Sequence, residues 1–236
     1  KERPEFKNLS VANRGKLIKT ILMNSAKPLN DKENNVPVSP RHQGAGVVDT
    51  MAATSTDLFV TGANNYPSVT LGNVGDKFTF EVTIHNISDK DRTLKMIVNT
   101  NTDEVEEGKF TLRPRKLTET VWPEVTVKAH STKTVTVSVD TSKFTEELSK
   151  IMPNGYFLEG FVRFVNPADD GSVIGLPFMG FKGEFQNLPA IEKPIYQLIK
   201  EGNSGFYSEI DKDNPGISPS DDATYLTSSE NDVNVL

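Results

Sequence analysis

Three histidines, His42, His85 and His130, are the imidazoles of the chain. Each side chain could act as a general base or a metal ligand. Their spacing supports neither use. No His-x-x-x-His pair marks a zinc-binding helix, and no Gly-x-Ser-x-Gly segment supplies a nucleophile elbow. His85 closes the polar face of an alternating segment and His130 sits in the turn Ala129-His130-Ser131, so solvated positions are expected for all three. Gly44-Ala45-Gly46 resembles the opening of a dinucleotide loop, but no strand precedes it and Asp49 stands where a third glycine would be needed. The two glycines are expected instead to let backbone segments approach closely. Carboxylates gather at Asp103, Glu104, Glu106 and Glu107, at Asp169-Asp170-Gly171, and at Asp211-Lys212-Asp213-Asn214. None follows the spacing of a twelve-residue calcium loop, and all are expected in solvated loops. Trp122, followed by Pro123, is a candidate exposed anchor. Tyr156, Phe157, Phe161 and Phe164 lie on one strand and are expected in the core. No catalytic, cofactor-binding or metal-binding residue is assigned within the chain.

Composition narrows the classes further. The 236 residues carry a formal net charge of -6, with 36% hydrophobic and 25% charged residues. A core with polar, poorly packed attachments fits those proportions. Lys and Arg form no stripe, and the cations of 109–116 lie beside Asp103, Glu104, Glu106 and Glu107, which argues against a nucleic-acid partner. Cysteine is absent, which excludes disulfides, thiolate nucleophiles and thiolate zinc sites. No apolar run is long enough to span a bilayer, so membrane insertion is not expected. Lys1-Glu2-Arg3-Pro4 lacks the apolar region of a signal peptide, and Asp232-Val233-Asn234-Val235-Leu236 closes no element. Both ends are expected to be cuts in a longer protein.

The periodicity supplies the elements. Residues 10–26 read as a helix capped by Ser10, with Val11, Leu17, Ile18, Ile21 and Leu22 on its broad apolar face. A polar loop over 29–40 follows. Val47-Val48 then makes a short extended piece, and Asp49 is placed to cap a helix from Thr50. From about Thr56 the period becomes two and stays so to about Phe185. Phe78, Phe80, Val82 and Ile84 alternate with polar neighbours, as do Leu94, Met96 and Val98, and Val135, Val137 and Val139. Residues 156–165 and 173–185 form a further pair around the turn 166–171. With shorter pieces at 57–60 and 121–127 the count is about seven, that of an immunoglobulin-like or fibronectin type III-like sandwich. Phe144, Leu148, Ile151 and Met152 share one face of a helix that Ser142 could cap. Residues 188–196 are proline-punctuated and 201–236 carry no sustained period, as a linker or the start of a further domain.

The segments Ile21-Leu22-Met23-Asn24-Ser25-Ala26 and Ser39-Pro40-Arg41-His42-Gln43-Gly44-Ala45-Gly46-Val47-Val48-Asp49 resemble the last part of a subtilisin-like serine protease domain. The segments 154–164, 177–183 and 187–196 resemble the first fibronectin-type domain of streptococcal cell-envelope proteases, which include anaphylatoxin- and chemokine-cleaving members. The resemblance runs from about Ser10 to Tyr196.

It implies a mainly β chain: the C-terminal end of a catalytic domain over 1–55, a fibronectin type III-like β-sandwich over 56–186, and a linker or further domain over 187–236. The short helical and extended lead-in would be the remnant of an α/β subtilisin-like fold. In that family a Ser-His-Asp triad does the chemistry, and the chain has no Gly-Thr-Ser, His-Gly-Thr or Asp-Thr-Gly segment to carry it. The implied partners are the rest of the same protease and host proteins such as chemokines or complement peptides. The implied place is an extracellular, cell-wall-associated bacterial surface, and calcium would belong to the parent rather than to this chain. A non-enzymatic adhesive module is the alternative, presenting loops at 100–109 and 166–172.

Overall fold

A computed structural model describes residues 4–7, 9–106, 108–168 and 171–184. The chain divides into two compact units, Lys1–Gln186 and Asn187–Leu236. The second unit, with every expectation for 187–236, lies outside the described residues, as do Phe185, Asp169 and Asp170.

Helices lead. α1 (Pro4–Lys7) is a single turn, and α2 (Val11–Asn24) starts where Ser10 Oγ accepts from the Asn13 amide. The expected apolar face is not the one α2 buries. Val11 and Ile18 are exposed, while Thr20, Ile21 and Asn24 are buried. The helix rests against the sheets through its C-terminal half, so its seat is chosen by Asn24 and not by the leading hydrophobics. α3 (Pro40–Gln43) is capped by Ser39, and α4 (Thr50–Ser55) by the Asp49 carboxylate, which accepts from Ala52. That hydrogen bond, followed by the Lys27 ammonium at 2.7 Å, holds the Asp49 pKa below its ordinary value.

Eight strands follow: β1 (Leu58–Thr61), β2 (Val69–Asn73), β3 (Lys77–Asn86), β4 (Arg92–Glu106), β5 (Lys109–Val127), β6 (Ser131–Asp140), β7 (Tyr156–Val165) and β8 (Ser172–Lys182). They form a three-stranded sheet in the order β1-β3-β6 and a five-stranded sheet in the order β2-β8-β7-β4-β5. Neighbours pair antiparallel except β2, which runs parallel to β8. Alternation decides which side chains meet between the sheets. Val82 and Ile84 of β3 and Val137 of β6 face Leu94, Met96 and Val98 of β4 and Phe164, Ile174, Leu176 and Phe178 of β7 and β8. A smaller cluster of Leu117, Leu148, Met152, Tyr156 and Leu158 closes one end beneath α5 (Thr145–Ile151).

Four expectations give way here. β2 breaks register between Thr70 and Asn73 around Gly72 at φ 65°, which hides its period in the sequence. Residues 100–106 belong to the β4–β5 hairpin instead of an exposed loop, with Asn99, Thr100, Asn101 and Thr102 all buried. Trp122 is half-buried against the main core and is not an exposed anchor. Ser142 does not cap α5: it donates to the Asp140 carboxylate in a 3-10 turn at Ser142–Phe144, and Phe144 holds the cap position.

Candidate functional site

The lead-in 9–55 and the outer face of the five-stranded sheet meet at two polar joints, and each is built from local chain geometry. The first is Asn24, the last residue of α2 and 1% exposed. Its Nδ2 donates to the Gly175 carbonyl of β8 at 2.9 Å, and its Oδ1 accepts from the Val60 amide of β1 at 2.7 Å. One amide therefore satisfies backbone groups in both sheets.

The second joint is Arg41. Residues 27–47 are folded into a compact loop by reciprocal Lys27–Val47 backbone bonds at 2.9 Å. Gly46 makes that approach feasible: it sits at φ 113°, and a Cβ there would lie 2.3 Å from the Lys27 carbonyl oxygen. This is the close backbone approach expected of the glycine pair. The Gln43 amide works like a strand partner across the loop, accepting from the Leu29 amide at 2.7 Å and donating to the Val38 carbonyl at 2.6 Å. Ser39 and Pro40 then start α3 and aim Arg41 at the sheet.

The Arg41 guanidinium meets Glu159 of β7 in a fork, Nε to Oε2 and Nη2 to Oε1, both at 3.0 Å. Nη2 also donates to Asp103 of β4 at 2.6 Å. The Glu159 side chain is 1% exposed and that of Arg41 25%. Burial opposes the Arg41 charge, but hydrogen bonding and attraction from Glu159 and then Asp103 outweigh it and raise its pKa. Two-point geometry fixes direction as well as distance, which a lysine could not do. The guanidinium carbon lies 4.1 Å from the Phe157 ring centroid, and Phe157 meets Phe181 edge-on at 5.2 Å. Of the aromatic set expected in the core, Tyr156, Phe161 and Phe164 are buried, whereas Phe157 points outward to this joint.

A cleft opens beside it. About 610 Å³ is enclosed by Arg41, Thr70, Asn73, Phe157, Met179 and Phe181 with the backbone of β2 and β8. An adjoining cleft of about 320 Å³ shares Arg41, Phe157 and Phe181 and reaches His42, Asp103, Phe110 and Tyr156. Phe110 stands 63% exposed at its rim. Sequence reasoning missed this site because its parts come from α3, β2, β4, β7 and β8. The one legible signal was a Glu inside the apolar run of β7.

The histidines are dispersed. His42 is exposed on α3, and His130 pairs with Asp89 at 2.7 Å on an exposed turn. His85 departs from expectation: its ring stacks on Phe59 at 4.3 Å and 7°, with Nε2 3.1 Å from Thr61 Oγ1. The neighbouring strand β1 brings Phe59 alongside, which strand alternation alone does not reveal. Burial lowers the His85 pKa below 6.5. The unfolded chain therefore binds this proton at higher pH than the folded one, and stability falls as pH drops below about 6.5, levelling once the folded imidazole has titrated. Urea midpoints measured from pH 7 down to pH 5 are expected to fall further for the wild type than for His85→Gln. Equal slopes would remove His85 from the acid response. Among the described residues no group of three or more His, Cys, Asp or Glu could hold a metal. No helix among them is long and apolar enough to cross a membrane.

Comparison with known proteins gives three related findings. An Fn3-like domain model matches residues 69–179. A C5a peptidase of Streptococcus pyogenes is 43% identical over 210 residues, 89% of this chain and 18% of that protein. The PI-type proteinase of Lactococcus lactis subsp. cremoris is 36% identical over 178 residues, 72% of this chain and 9% of that protein. The PIII-type proteinase of the same subspecies is 32% identical over 236 residues, 90% of this chain and 12% of that protein. The chain thus spans less than a fifth of the length of these curated relatives.

Proposed function

This chain belongs to the protease family of the streptococcal C5a peptidases and lactococcal proteinases, and from that premise we propose that it serves as the non-catalytic stretch of a subtilisin-like serine endopeptidase on a bacterial surface. Residues 1–55 complete the packing of the catalytic domain, 56–186 form the sandwich, and 187–236 lead onward. The triad lies in the parent outside this stretch. No cofactor is assigned here, and calcium is left to the parent. The substrates are host proteins, with chemokines and complement peptides as the leading classes, which makes the parent a secreted, cell-wall-bound virulence factor.

The observation that carries this reading is the pair of polar joints. Asn24 and the Arg41–Glu159 fork tie the lead-in to the sandwich at fixed positions. A catalytic domain built onto that lead-in would hold the sandwich at a constant distance and angle, and the sandwich then governs which large substrates reach the catalytic cleft. Its work is scaffolding and recognition.

Two measurements test the proposal. The purified chain is expected to release no fluorophore from labelled casein, and turnover abolished by a serine-directed inhibitor would overturn the non-catalytic assignment. The reading frame preceding Lys1 is expected to encode a Gly-Thr-Ser-Met segment, and a start codon immediately before Lys1 would remove the parent protease.

A further inference from the structure

We propose that the double cleft beside Arg41 docks an extended, basic segment of a protein substrate, one apolar side chain entering against Met179 and Phe181 while flanking lysines or arginines meet the acidic rim. That the occupant is a substrate rests on the protease reading above; that the cleft binds such a segment does not.

The shape argues first. Phe157, Met179 and Phe181 give the larger cavity an apolar floor on the outer face of the sheet. Its volume suits a large side chain with neighbouring backbone. Methionine adapts its rotamers to different side chains, which suits a site taking more than one sequence. Phe110, exposed beside the second cavity, offers a further apolar contact.

The strand edge comes next. β2 is the last strand of its sheet, pairs with β8 alone, and carries Thr70 and Asn73 on the cleft. Its other edge is open to an extended chain, so main-chain hydrogen bonds can supply affinity while the pocket supplies preference.

Charge selects the partner. Arg41 is matched by Glu159 and Asp103, and Arg113, on the adjacent hairpin, by Glu33 and Glu106. Two guanidinium groups thus face four carboxylates. The hairpin brings the two sets together, since Asp103 pairs with Pro114 and the Asn34 side chain donates to the Pro114 carbonyl at 2.8 Å. The excess negative charge attracts cations and repels acidic chains.

Fluorescence polarisation with a labelled octapeptide alternating lysine with leucine or phenylalanine tests the docking site on the intact chain. Saturable binding is expected, about tenfold tighter than for the same peptide with glutamate in place of lysine. Met179→Trp, which fills the cavity, should weaken binding about tenfold. Thr70→Trp, on the exposed rim, tests the same space should Met179→Trp fail to fold. The double variant Glu33→Gln/Glu106→Gln should weaken the basic peptide and flatten its salt dependence. Equal binding of both peptides, or wild-type binding by a folded cavity-filling variant, would overturn the site. In the full protease the cavity-filling variant should raise KM for basic protein substrates. Docking that is lost in the chain alone while KM stays unchanged overturns only the protease reading of the occupant.

Discussion

Replacing Arg41 with alanine is expected to destabilise the chain by about 3 kcal/mol, because it leaves the Glu159 carboxylate buried with no cation. The figure sits at the low end for broken buried pairs, since Arg41 keeps a quarter of its side chain in solvent. Asp103, at 14% exposure, also loses its partner, but water reaches it more easily. The cost should belong chiefly to the orphaned charge. Adding Glu159→Gln to Arg41→Ala is therefore expected to recover most of the loss, and Glu159→Gln alone should cost less than Arg41→Ala. Urea titrations of the single and double variants check this. Additive losses would mean that Arg41 acts through its packing on Phe157 and not through Glu159. Lysine at position 41 should rescue poorly, because an ammonium cannot span both carboxylate oxygens.

The second large effect is at Asn24. Alanine there strands the Val60 amide and the Gly175 carbonyl, both bonded only through this side chain at that joint, and should cost about 2–4 kcal/mol. Asn24→Asp separates the two halves of the contact. The carboxylate can still accept from Val60 but faces the Gly175 carbonyl with oxygen against oxygen, so it should be no better than alanine. A lower urea midpoint at constant slope is the expected signature for both variants. A loss under about 0.5 kcal/mol in Asn24→Ala would show that the helix is seated by Ile21 packing instead.

Much of the sandwich was legible because burial there follows alternation. Phe80, Val82 and Ile84 in β3, and Val137 and Val139 in β6, are inward at every second residue, and the strands stand where that period places them. The failures share a cause. Asn99, Thr100, Asn101 and Thr102 read as a loop because polar residues occupy both faces, yet all four are buried. One face is covered by the lead-in, where the Asn101 side chain donates to the Pro37 carbonyl at 2.9 Å, and a strand's own residues do not announce such a cover. The apolar stripe of α2 misled for the converse reason: a buried asparagine with two backbone partners outweighs a leading valine that meets water. Ser39, Asp49 and Gly46 were readable, since capping and close approach are local requirements. The Arg41 joint was not, because its parts lie 62 and 118 residues away.

That separation has a meaning in time. The Asn24 side chain reaches a carbonyl 151 residues further along the chain. A ribosome adding about 5–20 residues each second needs roughly 8–30 s to make that stretch. During synthesis the lead-in helix is therefore in hand long before its seat exists, and it cannot be locked until β8 has joined the sheet. Whatever is built onto the lead-in waits for the sandwich, which makes its closing strand the last step of a delayed assembly.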